Sequence, residues 1–180
     1  QQSQHPDYYR AVLALSQSPI RDTLSAVQKK VLADQVRDFR LSGIMLDSSG
    51  QAVYRDLVAD LAALSTRFEH HVLDATQGWV YHATQASQTA GIPEATLALA
   101  QEKAAADQKA GWVFSLDFPI YHAVMSHASD ATLRCKMYQA YVTRASDCGP
   151  NAGQWDNTPI MVETLQKRQA LASLLGFEDY

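Results

Sequence analysis

The chain predicts a mainly α fold: a helical bundle with antiparallel helix hairpins and a small two-stranded β-ribbon at about 79–83 and 112–116. Three observations carry this. Val53, Leu57, Leu61, Leu64, Phe68 and Val72 recur at helical steps without a break, the mark of an amphipathic helix. Cap and stop residues bracket several such stretches. Only two short runs, each opening Gly-Trp-Val, have the aromatic and β-branched make-up of strands.

Taken in order, Pro6 precedes a short first helix at 8–15. Thr23 is the expected N-cap of a second helix, whose Leu24, Val27, Val31, Leu32, Val36 and Phe39 form one apolar face. Gly43 stops it, because a left-handed C-cap costs glycine least. Asp47-Ser48-Ser49-Gly50 reads as a turn, so the second helix and the long helix at 51–75 are expected to lie antiparallel.

The runs 78–84 and 111–117 pair as the ribbon, their echo being cross-strand Trp packing rather than duplication. Between them Pro93 and Glu94 open an Ala-rich helix that ends near Gly111. Ser129 and Asp130 cap a helix carrying Leu133, Met137, Tyr141 and Val142. After a loop at 146–157, Thr158-Pro159 start a last helix with Met161, Leu165, Ala172 and Leu175 inward, closing at Gly176. No linker or low-complexity tract interrupts the 180 residues, which read as a single helical segment.

Composition excludes several functions. A formal charge of −4 with scattered Lys and Arg leaves no basic footprint, so nucleic acid is not an expected partner. No apolar run approaches the roughly 20 residues of a membrane span, so no membrane partner is expected. Gln1 to His5 lack a basic region followed by an apolar stretch, which reads as no signal peptide, and the missing initiator Met reads as a chain beginning mid-protein. Cys135 and Cys148 are expected to be reduced thiols of a cytoplasmic protein.

Catalytic patterns are sparse. His70 and His71 are adjacent, about 100° apart on a helix, and cannot face one metal together; Glu69, His70 and Asp74 read as a solvated face. His122 and His127 miss the i, i+4 spacing that aligns ligands, and H-E-x-x-H is absent. Cys135 beside either His lacks any signature of a catalytic thiol. Gly149-Pro150-Asn151-Ala152-Gly153 lacks the ending of a phosphate loop, and Pro150 removes a donor. The expected catalytic, cofactor-binding and metal-ligating residues within this chain are therefore none. One loop stands out: Arg144, Asp147, Asn151, Trp155, Asp156 and Asn157 mark either an internally bonded loop or a binding surface.

The same stretch carries a resemblance. Tyr138-Gln139-Ala140-Tyr141-Val142-Thr143-Arg144-Ala145-Ser146-Asp147, then 149–153 and Trp155-Asp156-Asn157, is similar to the thimet-oligopeptidase family of zinc metallopeptidases. Arg37-Asp38-Phe39, Leu41-Ser42-Gly43, Val72 to Thr76, Ala90 to Glu94 and Leu174 to Phe177 follow in the family's order. Departures are His122-Ala123, where the family usually has Leu-Pro, and Cys148, where Gln is common.

The resemblance implies a cytoplasmic enzyme whose two halves enclose a channel admitting short peptides. Its zinc would be held by H-E-x-x-H and a later Glu, all downstream of these residues. This chain would then be a fragment of the N-terminal half, inactive alone, with the remaining half of the polypeptide as its partner. The alternative reading is a free-standing helical interaction module docking through the ribbon or the 146–157 loop.

Overall fold

A computed structural model describes residues 6–180; the Gln1–His5 opening that was read against a signal peptide lies outside them. The described chain is mainly helical, in the order α1 (Pro6–Gln17), α2 (Ile20–Thr23), α3 (Ala26–Leu41), α4 (Ser48–Gln77), β1 (Val80–Ala83), a 3-10 turn at Ala86–Thr89, α5 (Glu94–Ala106), β2 (Trp112–Ser115), α6 (Phe118–His127), α7 (Ala131–Val142) and α8 (Thr158–Leu174). It divides into two compact units, Gln1–Ala63 with Glu163–Tyr180, and Leu64–Val162.

In the first unit, α3 begins two residues later than Thr23 predicts. Thr23 closes α2 and spends its hydroxyl on the Ile20 carbonyl. Ser25 is the N-cap: its Oγ accepts from the Gln28 N–H while the Gln28 side chain accepts from the Ser25 N–H, a full capping box. Gly43 ends the helix with φ +73°. Helix α3 packs on α1, and its C-terminal end meets the long helix, where the Tyr54 hydroxyl donates to the Leu41 carbonyl. Leu32 and Phe39 bury against Val12, and Tyr8 and Tyr9 meet the Phe39 ring edge-on at 5.5 and 5.4 Å. Of the predicted α3 face, Leu32 and Phe39 are buried, while Val27 and Val31 stay exposed. The expected 47–50 turn is instead the start of α4, where the Asp47 carboxylate accepts from the Gly50 N–H and the Ser49 hydroxyl. Both bonds favour ionisation, so they hold Asp47 below the usual carboxylate value.

In the second unit, β1 and β2 pair antiparallel, Val80 opposite Ser115 and Ala83 opposite Trp112. That register corrects the idea of cross-strand Trp packing: Trp79 and Trp112 fall at opposite ends of the ribbon. Phe114 and Leu116 enter a core with Ile92, Ala100, Val124, Leu133 and Met137. Helix α5 stops at Ala106, short of Gly111. There Gln108 takes the left-handed conformation at φ +56°, its N–H reaching the Ala105 carbonyl while the Lys109 N–H reaches that of Ala104. Helix α6, absent from the sequence reading, begins with Pro119 in its first turn and packs on α7.

Two further corrections concern α8 and α4. Ile160 and Ala172 are the buried residues of α8, while Met161 and Leu165 are exposed. Its end follows the prediction: Gly176 has φ +78°, and the Phe177 N–H reaches the Ala172 carbonyl. On α4, Leu64 is buried but Val53 and Phe68 of the predicted stripe are open to solvent.

Candidate functional site

A hydrogen-bonded polar region of the second unit starts where α7 runs out. Its last turn carries Tyr141 on the side facing α6, and Tyr121 of α6 stacks on it with ring centres 3.8 Å apart and planes 11° from parallel. The Arg144 guanidinium covers the other face of Tyr141 at 3.6 Å, making a three-tier stack. Two hydrogen bonds fix the guanidinium: Nε donates to the Tyr141 carbonyl at 2.9 Å and Nη1 to Thr76 Oγ1 at 3.0 Å. Thr76 in turn donates to the Val72 carbonyl of α4. Among the described residues no carboxylate pairs with Arg144, so stacking and two neutral acceptors hold its guanidinium in place. Burial pushes the Tyr121 phenol above its ordinary value, with the neighbouring tyrosines adding to the rise.

The loop that follows is closed on itself. The Gly153 N–H donates to the Ser146 carbonyl and the Asn157 N–H to the Ala145 carbonyl, both at 3.0 Å. Ser146 Oγ donates to the Thr143 carbonyl and accepts from the Cys148 N–H. Gly149 passes so close to Thr143 that a Cβ there would lie 1.9 Å from Oγ1. Trp155 lies over the end of α4, where a Cβ on Gly78 would meet its ring at 2.1 Å. Asn157 is buried, and its Nδ2 donates to the Phe68 carbonyl at 3.1 Å. Asp156 Oδ1 accepts from the Thr158 N–H at 2.8 Å, starting α8 and holding the carboxyl below its usual value. Of the two roles left open for this loop, internal bonding is the one its backbone displays.

The hollow beneath the loop, lined by Ala75, Trp79, Ala140, Thr143, Arg144, Ala145, Pro150 and Asn151, measures about 10 Å³. That is about the room of a single water. A larger hollow of about 160 Å³ belongs to the first unit. There Gln51 donates to the Ile44 and Leu46 carbonyls and Tyr54 to that of Leu41, so these groups brace backbone.

The other candidates stay apart. His70 is exposed, and His71 is half-buried with Nδ1 lacking a protein partner. Glu69 accepts from Ser65. His122 sits against the Phe118 ring, and no hydrogen bond joins Cys135 to it or to His127. Cys135 and Cys148 are both free and exposed. Tyr121 is not among the sequence candidates, because it rides on a helix the sequence does not announce, and Thr76 enters there only within the 72–76 stretch.

Zinc, which the resemblance implies, finds no set of ligands here. Among the described residues no three His, Cys, Asp or Glu side chains come together as a metal site. No described helix is long and apolar enough to cross a membrane.

No family model matches the chain. Its curated relatives are peptidases, matched through both units. They are oligopeptidase A of Salmonella typhimurium and of Escherichia coli, each 44% identical over 177 residues, which is 98% of this chain and 26% of the relative. A probable cytosolic oligopeptidase A of Arabidopsis thaliana is 33% identical over 180 residues, 96% of this chain and 25% of that protein. The chain thus resembles oligopeptidase A from end to end, and spans about a quarter of the length of the relatives it matches.

Proposed function

We propose that these residues are part of the N-terminal half of a cytoplasmic, zinc-dependent oligopeptidase that hydrolyses short peptides. They supply one wall of its substrate channel, and the catalytic groups come from other parts of the polypeptide. The observation that carries the reading is the 44% identity to oligopeptidase A held over 98% of the chain, with only 26% of the relative accounted for. A segment that packs as wall needs rigid shape rather than reactive groups. The self-bonded 145–157 loop and the Arg144–Tyr141–Tyr121 stack supply that rigidity. No step of peptide hydrolysis is assigned to a residue of this chain.

The test compares two polypeptides, the full open reading frame and these 180 residues alone. The full protein is expected to hold zinc, to cleave short unfolded peptides and to lose activity to a chelator. The 180 residues alone are expected to do none of this. Stoichiometric zinc with cleavage by the short polypeptide would overturn the assignment, as would a full protein inert toward every short peptide.

A further inference from the structure

Helix α7 is apolar on two opposite sides. One side, Leu133, Met137 and Ala140, is buried in the core of the second unit. The other is a stripe of Ala131, Cys135, Tyr138 and Val142, all exposed, with Tyr138 at 51% and Val142 at 54%. At about 100° per residue these four fall within roughly 60° of one another and roughly 160° from the buried side. A surface helix of a finished domain carries polar residues opposite its core; one that is apolar on both sides is covered on both. The steps of four, three and four along the stripe are those by which one helix seats against another.

We infer that the Ala131–Cys135–Tyr138–Val142 face of α7 is an interface buried by a further apolar helix of the same polypeptide, from outside these 180 residues. The inference rests on the reading of the chain as part of a longer peptidase. Two observations select this occupant over a second copy of the chain. The matched relatives are about four times longer, so the larger share of such a protein lies outside the chain. The face itself is small: a helix of 12 residues is about 18 Å long and offers on the order of 200–300 Å² on one side, well below the roughly 800 Å² per partner of a stable complex. A contact within one polypeptide has no association entropy to overcome and can be that small.

Cys135 lies in the stripe and reports on it. The full-length protein would be treated with N-ethylmaleimide, folded and in guanidinium, and alkylation of Cys135 followed by peptide mass spectrometry. The folded protein is expected to react at least about tenfold more slowly at Cys135, because the thiol is reached only through local opening. Equal rates in the two states overturn the inference. So does protection that vanishes on dilution together with a dimer in sedimentation, which would assign the face to a second copy. The two readings fail separately. A protein that cleaves short peptides but leaves Cys135 open sinks only this inference, whereas a shielded Cys135 in a protein without peptidase activity sinks only the peptidase reading.

Discussion

Gly149 holds a position that no other residue can occupy without moving its neighbours. Its φ of +87° is left-handed, and a Cβ would press on Thr143 Oγ1 and Cβ at 1.9 and 2.6 Å. Gly153, four residues on, has a similar φ of +76° but nothing within 4 Å of the built Cβ. The pair separates backbone strain from steric conflict. Gly153→Ala should lose about 1 kcal/mol, and Gly149→Ala about 2–4 kcal/mol because overpacking is added. Urea midpoints on the two variants check this, and equal losses would show that the loop yields without resistance. Asp156 makes a different prediction. Its carboxyl is held low by the backbone and hydroxyl bonds from Thr158, so the charged form is the one the folded state prefers. A depressed value means stability that is present above the ordinary 3.8 and lost as pH falls through the folded-state value. Asp156→Asn should therefore flatten the acid limb of a melting-temperature profile below about pH 4. An unchanged limb would remove Asp156 from the start of α8.

At the scale of elements, caps decide where helices begin and end. Ser25→Ala removes one half of the capping box at α3 and should cost about 1 kcal/mol, while Thr23→Ala, which leaves that box intact, should cost less. At the other end of α5, Gln108 bears a left-handed φ without being glycine. Gln108→Gly should stabilise by about 0.5–1 kcal/mol, read as a raised denaturation midpoint; a loss would mean its side chain matters more than its backbone. These positions also show what sequence can reveal. The Ser-x-x-Gln pattern at 25–28 was visible, yet Thr23 drew the cap because it too is a favoured residue standing before the apolar run. The ribbon, the Gly43 and Gly176 stops and the Asp130 cap are local chemistry and were legible as such. Helix α6 was not, since Pro119 reads as a breaker until the helix it starts is known. The 144–157 loop stands out in the sequence, but the geometry around it does not: Tyr121 and Tyr141 are stacked by the packing of α6 on α7, and Arg144 finds Thr76 across 68 positions of chain. The loop's bonds go to backbone carbonyls of Ala145 and Ser146, which carry no side-chain signature.

At the scale of the whole molecule, the decisive feature is apolar surface left open on helices that also have buried sides. Val27 at 74% and Val31 at 57% share one face of α3, Leu99 at 55% stands out from α5, and Met161 and Leu165 at 48% and 64% share a face of α8. Scattered exposed apolar residues are ordinary on any protein; pairs at helical spacing on several helices are the faces that the proposed remainder of the polypeptide would cover. The physical consequence is measurable. A polypeptide of these 180 residues alone should bind a hydrophobic dye such as ANS strongly while keeping the near-ultraviolet circular dichroism of Trp79, Trp112 and Trp155. The full protein should bind little dye. The retained near-ultraviolet signal matters because a molten globule also binds dye but loses fixed aromatic packing. Here the stacked Tyr121 and Tyr141 and the buried Phe114 and Met137 give the second unit a core of its own, so open surface and ordered interior are expected together. Weak dye binding by the short polypeptide would mean that its own chain covers these faces, and the case for an enclosing remainder would lose its structural support.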